Sequence, residues 1–404
     1  MSLKGTVLQL FFIIPIVLAL VSYLCYSPIP DDIDQPWKMR LFLGTAKFGA
    51  YLGNSMTFFG FGTPINVTRL ILRKTAVKET DRSLQISEKI FNGVKVRVYQ
   101  PFDRSFTGKR PGLVFYHGGG WMYMDVDTHD HITRKLAKEL NAVVVSVDYR
   151  RAPEFPFPTP LFDCELATRF FLSHASHFRV DPRRIGIIGD SAGGNLAAGV
   201  ALKLNEDVNA TKPNLQVLIY PMLQGIDFSL PSHVVNSKYM PELNSIELTA
   251  EEFLGYMGIT DKSVRDAMTS NNHLSSILKR NYRKFIDYKL LDEKLIHADY
   301  KPVDLDGGDA RISSRLEPFI MNPLFTPIIA TNLAGLPKTH VIVAGYDVLR
   351  DEALIYVERL KQAKVPVSLE YYEKGFHGML SQIGDFEISD KCMSDLIAYL
   401  KQNL

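Results

Sequence analysis

The sequence predicts an α/β fold, in which a mostly parallel central sheet carries helices on both faces and a mainly helical cap. Continuous apolar runs at residues 142–147 and 215–220 are typical of strands buried in a parallel sheet. Helical patterns separate such runs, and this alternation of strand and helix is characteristic of a doubly wound sheet. From about residue 225 to residue 323 the alternation stops, and we predict that this insertion forms the cap.

An N-terminal transmembrane helix is predicted from residues 5–26, which contain no charged side chain. A helix of this length, rising 1.5 Å per residue, can cross a hydrocarbon core about 30 Å thick. A cleaved signal peptide usually has a shorter apolar stretch and a small-x-small cleavage site, and residues 21–27 contain no convincing site. We therefore predict an uncleaved signal anchor over residues 1–27.

The charges around this span favour a cytoplasmic N-terminus. Lys4 and the terminal amine precede the span and three aspartates follow it, although three basic residues at positions 38–47 reduce the asymmetry. The sequons at Asn66 and Asn209 are candidate glycosylation sites and independently favour a lumenal body. We expect the remainder of the chain on the lumenal side.

Residues 28–80 are predicted to form an N-terminal cap segment. Within it, residues 39–61 are rich in aromatic and aliphatic side chains. One interpretation is a helix whose apolar face packs on the domain, and the other is an apolar entry rim that faces the bilayer. The sequence leaves both open, because one helix can serve both purposes.

The sheet domain is predicted in two parts, residues 81–224 and residues 324–404. It opens with a hairpin over residues 84–100 that turns at Asn92-Gly93, a dipeptide that favours two-residue hairpin loops. The cap separates the two parts in sequence. With 404 residues, of which 46% are hydrophobic, the chain is long enough for one large domain with insertions.

A glycine-rich loop follows the short apolar strand at residues 113–116. It reads His117-Gly118-Gly119-Gly120, the H-G-G-G type of loop whose backbone N–H groups can stabilise a negatively charged oxygen. The alternatives are an ordinary glycine-rich turn and a phosphate-binding loop. A phosphate loop requires Lys-Ser/Thr after the glycines, where Trp121-Met122 stands.

The pentapeptide Gly189-Asp190-Ser191-Ala192-Gly193 follows a second buried apolar run and precedes a helical pattern. A strand, G-x-S-x-G and a helix are the context of a nucleophile elbow. In that turn the serine is strained, and a side chain at either flanking glycine would collide with neighbouring backbone. The pattern predicts Ser191 as a nucleophile and leaves the next N–H, that of Ala192, free to donate.

An acid and a base follow the serine in the order that this arrangement requires. An apolar strand pattern ends just before Asp347, and the next strand pattern ends just before His377. Asp351 and Glu352 compete with Asp347, but we expect them to begin a helix, where acidic side chains favour the N-terminal dipole. Ser191, Asp347 and His377 are therefore predicted to form a catalytic triad.

Composition excludes several other classes of protein. The formal net charge is +2 with dispersed charges, whereas a nucleic-acid surface would need a clustered basic face. Cys25, Cys164 and Cys392 are too few for a disulfide framework, and we expect free, buried thiols in the two core helices. No Cys/His cluster has metal-ligand spacing, so no metal or cofactor is predicted.

Taken together, these motifs resemble the hormone-sensitive-lipase family of α/β-hydrolases, and within it the arylacetamide deacetylase and neutral cholesterol ester hydrolase branch. The resemblance covers nearly the whole chain and includes the N-terminal anchor. It rests on H-G-G-G-W at 117–121, D-Y-R-R-A-P-E at 148–154, G-D-S-A-G-G-N at 189–195, D-V-L-R-D-E at 347–352 and G-F-H-G at 375–378. This chain departs from the branch at Met122 and Ala344, where arylacetamide deacetylase has bridging cysteines, and at Arg151, where leucine is common.

The resemblance implies an α/β-hydrolase fold and a carboxylesterase- or lipase-type serine hydrolase that forms an acyl-enzyme. It also implies an oxyanion hole made by the N–H groups of Gly118, Gly119 and Ala192. The family arrangement is a lumenal catalytic domain on the endoplasmic reticulum, as a single-pass type II protein. A lipophilic ester is the expected substrate: an acylglycerol, a cholesteryl or acetyl-ether lipid, or a xenobiotic ester.

Two interpretations of another class remain open from sequence. One is a hydrolase-fold binding protein without catalytic activity, against which the intact His377 and both oxyanion motifs argue. The other is a membrane-tethered interaction or adhesion module built on the same fold. Failure of a fluorophosphonate probe to label the protein would favour the first, and an uncovered apolar patch with no pocket beneath it would favour the second.

Overall fold

The computed structural model describes residues 12–19, 21–23, 26–76, 82–103, 105–296, 298, 300–302 and 304–404. Its centre is an eight-stranded sheet with strand order β1-β2-β4-β3-β5-β6-β7-β8. The strands are β1 Leu84–Phe91, β2 Val94–Pro101, β3 Arg110–Tyr116, β4 Val143–Val147, β5 Val180–Asp190, β6 Leu215–Ile219, β7 Lys338–Tyr346 and β8 Val367–Phe376.

Only the first two strand pairs in this order are antiparallel, and β4, β3, β5, β6, β7 and β8 run parallel. The predicted hairpin is present, and both turn residues have positive φ, 48° at Asn92 and 89° at Gly93. Positive φ at both central residues is the geometry for which Asn-Gly is preferred. The mostly parallel sheet predicted from the apolar runs is therefore confirmed.

Thirteen labelled helices surround the sheet within the described residues. They are α1 Pro36–Phe58, α2 Pro64–Thr75, α3 Asp130–Leu140, α4 Thr159–Ser173, α5 Ala192–Glu206, α6 Pro231–Asn236, α7 Pro241–Asn244, α8 Ile246–Met257, α9 Lys262–Thr269, α10 Ser276–Tyr282, α11 Ala310–Ile320, α12 Arg350–Gln362 and α13 Glu387–Asn403.

The apolar core consists of two clusters, one on each face of the sheet, and successive residues of a strand contribute to them alternately. In β4, Val143 and Val145 belong to the apolar cluster that includes α4, α5 and α12, whereas Val144 belongs to the cluster that includes α3 and α13. Successive side chains of a strand point to opposite faces, so a strand that is apolar throughout must be covered twice. Cys164 lies in the first cluster and Cys392 in the second, and both are free and buried.

The chain between β6 and β7 forms α6 to α11 and contains no strand among its described residues. Helix α8 lies over the loop that follows β3, where the ring of Tyr256 stacks on that of Trp121 with 4.2 Å between centroids. This contact seats the predicted cap region on the carboxyl ends of the strands. The segment boundaries proposed from sequence remain predictions.

The N-terminal residues 12–19 and 21–23 are helical, and part of the predicted signal anchor lies outside the described residues. Within the described part of the chain, no helix combines the length and hydropathy needed to span a membrane. The transmembrane segment therefore stays a prediction.

The sequence predicts that residues 39–61 either pack an apolar face on the domain or form an apolar entry rim, and the packing is observed for only part of helix α1. Met39 and Leu43 are fully buried against the sheet domain. Most of the other large apolar side chains on and beside this helix are exposed, and 85% of the Phe58 side chain is accessible. The exposed set comprises Trp37, Leu41, Phe48, Tyr51, Leu52, Phe58, Phe59 and Phe61, which we call the aromatic face of α1.

Candidate active site

Ser191 occupies the sharp turn between β5 and α5. Its φ of 55° and ψ of −121° lie outside the regions that most residues with a side chain adopt. The turn is closed so tightly that a Cβ at Gly189 would collide with the carbonyl of Gly193, and a Cβ at Gly193 with the carbonyl of Tyr116. The collision expected from the sequence at both flanking glycines is confirmed, and the turn presents the Ser191 hydroxyl at the sheet edge.

The structure brings the three predicted triad residues together. The Ser191 Oγ lies 2.9 Å from Nε2 of His377, and Nδ1 of the same ring lies 2.8 Å from Oδ2 of Asp347. Asp347 directly follows β7 and His377 directly follows β8, so parallel pairing places all three groups at one edge of the sheet. The two competing acids, Asp351 and Glu352, lie in the first turn of α12 as expected.

A break in regular pairing between β7 and β8 helps to aim these residues. The register shifts between Ala344 and Tyr346, and a Cβ at Gly345 would collide with the carbonyl of Glu373. Only glycine permits this close approach of the two backbones. Both strands continue beyond the apolar cores identified from sequence, β7 to Tyr346 and β8 to Phe376.

The charge around His377 favours its protonated form. Burial alone would lower the pKa of the imidazole, but Asp347, by its charge and its hydrogen bond, raises that pKa above the ordinary value of 6.5. Glu252 and Asp190 contribute further in the same direction. An imidazole in this setting is suited to accept a proton from Ser191 and to hold it.

The structure corrects one of the three predicted oxyanion donors. The N–H of Gly118 donates to Oδ1 of Asp190 at 3.0 Å, so it is engaged within the protein. The N–H groups of Gly119, Gly120 and Ala192 have no acceptor within the described part of the chain. Gly119 and Gly120 have φ of 95° and 57°, a backbone conformation that favours glycine. The pattern H-G-G-G could not show which of its glycines is taken up by a side chain.

A buried polar cluster beneath this loop was not anticipated from sequence. Asp190, the residue before the nucleophile, also lies 3.3 Å from Nε2 of His129. Burial would raise the pKa of Asp190, but His129, His117 and the Gly118 N–H together hold it below its usual value. On the other side, the His117 ring stacks on Tyr149 with 4.1 Å between centroids. The cluster fixes the start of the glycine loop relative to the serine.

Helix α2 holds the same loop from outside. The guanidinium of Arg69 donates to the carbonyls of Met122 and Ala152, at 2.7 and 2.8 Å, and binds the Glu154 carboxylate through two nitrogens. Arg151, the departure from the family pattern, donates to the Met124 carbonyl at 3.0 Å. An isolated arginine in the N-terminal segment carries no local signal of such a role.

Glu252 of α8 faces the site from the cap. It is partly exposed and sits against Gly120, because its Cγ lies 2.6 Å from where a Cβ on that glycine would stand. Burial raises the pKa of Glu252 to about 7, although the charge of His377 opposes the rise. Among the described residues, no group of three or more His, Cys, Asp or Glu side chains is arranged to hold a metal ion.

A model of the alpha/beta hydrolase fold family matches residues 113–278 and 309–381, which include every residue of the Ser–His–Asp array. The chain belongs to the α/β-hydrolase family. Among curated relatives, this α/β-hydrolase is 33% identical to neutral cholesterol ester hydrolase 1 of Bos taurus, over 96% of this chain and 98% of that protein. It is 36% identical to arylacetamide deacetylase of Bos taurus, over 98% of both chains.

Solved esterases share the fold of this α/β-hydrolase. A hyperthermophilic esterase from Pyrobaculum calidifontis is 30% identical, with a TM-score of 0.59, and the match covers 84% of this chain and 91% of that one. The metagenomic carboxylesterase EstE1 is 27% identical, with a TM-score of 0.61, covering 84% and 94%. The resemblance inferred from the motifs is confirmed, and the chain is a carboxylesterase-like hydrolase.

Proposed function

We propose that this hydrolase is a membrane-anchored serine carboxylic ester hydrolase that cleaves lipophilic esters through an acyl-enzyme. The observation that carries the proposal is the continuous hydrogen-bonded array from the Ser191 hydroxyl through His377 to Asp347. An array of nucleophile, base and orienting acid at these distances is the general signature of an activated serine.

In the proposed reaction, Nε2 of His377 takes the hydroxyl proton as the Ser191 oxygen attacks the ester carbonyl. The N–H groups of Gly119, Gly120 and Ala192 stabilise the resulting oxyanion, with roughly 3–4 kcal/mol lost when one such donor is removed. The imidazolium returns its proton to the departing alkoxide, which leaves an ester between substrate acyl group and Ser191. Water, deprotonated by the same imidazole, then releases the acid and restores the serine.

The decisive test is Ser191→Ala, which removes the nucleophile and introduces no new contact. We expect loss of ester hydrolysis and of labelling by a fluorophosphonate probe, with an unchanged thermal unfolding midpoint. Ser270→Ala, at an exposed serine of the cap, is the matched control and should keep both activities. Full ester hydrolysis by the Ser191→Ala protein would refute the proposal.

The lipophilic character of the substrate is supported by the names of the relatives, which refer to cholesterol esters and to arylacetamides. A panel of esters with acyl chains from acetyl to oleoyl tests this assignment. Strict preference for a charged, water-soluble ester would contradict it.

We further propose that the protein is a single-pass type II protein of the endoplasmic reticulum membrane with a lumenal catalytic domain. The uncharged stretch at residues 5–26 supports an anchor, and the aromatic face of α1 supports contact with the bilayer. Asn66 and Asn209 are both exposed, as glycosylation would require. A shift in mobility after glycosidase treatment of the cellular protein, absent from Asn66→Gln/Asn209→Gln, tests the lumenal orientation.

A further inference from the structure

Glu252 is an acidic side chain of the cap that lies against the glycine loop, and the reaction proposed above does not use it. Its carboxyl occupies the space where a Cβ on Gly120 would stand, in the loop that carries two of the N–H groups assigned to the oxyanion. Glu252 raises the pKa of His377, and His377 lowers the pKa of Glu252. The carboxyl therefore lies against the loop that carries the oxyanion donors and within electrostatic reach of the His377 imidazole.

Within the described part of the chain, this carboxyl has no hydrogen-bond or ion-pair partner. Its sequence neighbour Glu251, in contrast, is exposed, and its carboxylate accepts a hydrogen bond from Arg265 at 2.8 Å. The other titratable groups that act on Glu252 are His377 and Glu251, and Glu252 in turn affects the phenol of Tyr123. None of them donates a hydrogen bond to it.

Glu252 is only partly exposed, so few water molecules can take the place of a protein partner, and a polar group left short of hydrogen bonds carries a free-energy cost. A wholly apolar substrate that filled the site would remove the remaining water and increase that cost. A substrate with its own hydrogen-bond donor would remove it. The arrangement therefore discriminates between esters that carry such a donor near the scissile bond and esters that do not.

We propose that Glu252 is a specificity-determining residue that accepts a hydrogen bond from a free hydroxyl of the substrate, so that partial esters of polyols are preferred over esters without a hydroxyl. A hydroxyl is favoured over an ammonium group, because His377 becomes positively charged in the transition state and would repel a second cation in the same site. This inference rests on the proposed function, since it names the substrate class of that site.

The test compares glycerol monobutyrate with propyl butyrate, which has the same acyl group and lacks both hydroxyls. In Glu252→Leu we expect kcat/KM for glycerol monobutyrate to fall by about tenfold to a hundredfold, as for a lost hydrogen bond to a charged group. The value for propyl butyrate, measured at a pH where the His377 imidazole is neutral in both proteins, should stay the same or rise. Glu252→Gln keeps an acceptor oxygen and should recover part of the preference, and Glu251→Gln is the matched control that should change neither value.

Labelling by a fluorophosphonate probe separates this inference from the proposed function. Glu252→Leu should still be labelled, which shows that Ser191 and His377 remain competent, and the rates are compared over a pH series because Glu252 contributes to the raised pKa of His377. A parallel fall for both esters would overturn the inference and indicate a role in positioning the loop. If the ratio of the two kcat/KM values is the same in Glu252→Leu and in the wild type, the inference is overturned as well. It is also overturned if the wild type prefers β-alanine propyl ester, which carries an ammonium group, to glycerol monobutyrate.

Discussion

At the scale of single residues, the polypeptide around Ser191 combines backbone strain with buried charge. The strained φ of Ser191 persists because contacts on both sides leave the turn no other conformation. The carboxylate of Asp190 ties that turn to the glycine loop through the Gly118 N–H. Two adjacent residues therefore set the geometry of the site: the turn at Ser191 positions the nucleophile, and Asp190 positions the loop of oxyanion donors.

The pH dependence of kcat/KM should report the raised pKa of His377. The imidazole is a base only when neutral, so activity should be lost as pH falls through its folded-state pKa, which lies above the usual 6.5. Asp347→Asn removes the charge that raises this pKa, and the acid limb of the profile should move to lower pH. Its kcat should fall roughly 10⁴-fold because the tautomer is no longer held.

A pH-rate series on a soluble ester, read alongside fluorophosphonate labelling, measures both effects. Asp351→Asn is not a suitable control, because that carboxylate pairs with Arg350. Asp292→Asn, at an exposed acid of the cap region, should leave the profile in place. An acid limb at the same pH in wild type and Asp347→Asn would contradict the assignment.

Removal of the Asp190 side chain should be among the most destabilising changes near the site. Asp190→Ala deprives the Gly118 N–H and His129 of their common partner, and a buried group left without its hydrogen-bond partner costs about 1–3 kcal/mol. Urea unfolding monitored by circular dichroism measures the loss. Asp190→Asn retains an acceptor for the Gly118 N–H and should lose less, and equal losses would argue against the pairing.

At the scale of secondary-structure elements, the glycine loop after β3 is held from three directions. Strand β3 positions the start of the loop, and the stack of Tyr256 on Trp121 covers it from α8. From α2, Arg69 donates a hydrogen bond to the Met122 carbonyl. Helix α2 belongs to the segment that follows the predicted anchor. The N-terminal segment is thus part of the support of the active site, in addition to any role at the membrane.

Arg69→Ala should lower kcat about tenfold with a smaller change in KM, because the oxyanion donors lose a support and the substrate site keeps its lining. Steady-state kinetics on butyrate esters measures the split between the two constants. Glu154→Ala removes only the carboxylate partner and leaves the bonds to the Met122 and Ala152 carbonyls, so its effect should be milder. Equal effects would locate the role of Arg69 in the ion pair alone.

At the scale of the whole molecule, the catalytic groups lie at one edge of the sheet, and the aromatic face of α1 is exposed to the surroundings. Exposed apolar patches of this kind mark sites of contact with lipid or with another protein. We propose a bilayer here, since the face follows the predicted anchor in sequence. Substrate dissolved in the membrane would then lie close to the enzyme that cleaves it.

Deletion of residues 1–27 should leave hydrolysis of short, soluble esters unchanged and slow the hydrolysis of long-chain esters in liposomes at least several-fold. Assays with and without vesicles measure the two rates on one preparation. Phe58→Ser/Phe59→Ser in the full chain removes apolar area and keeps the anchor, so it separates tethering from contact. Equal loss on soluble and vesicle substrates would contradict a delivery role.

Features of the fold and of the site that have a local sequence pattern could be predicted from sequence. Apolar runs gave the parallel strands, and strand–motif–helix context located Ser191 because the turn needs glycine at fixed positions. The Asp190–His129 contact joins residues 61 apart and the Arg69–Met122 contact residues 53 apart, and neither pairing leaves a local trace. The engagement of Gly118 was missed for the same reason: its partner is a side chain from another strand end.

The two buried cysteines give the protein an internal chemical reporter. Cys164 and Cys392 lie on opposite faces of the sheet, and burial raises the pKa of both thiols, to about 12 at Cys392. Neither reacts with an alkylating reagent until its own layer of helices opens. In a Cys25→Ser background, the separate alkylation rates would therefore show which side of the sheet loosens first on heating, or when a bound ester or a vesicle protects one side.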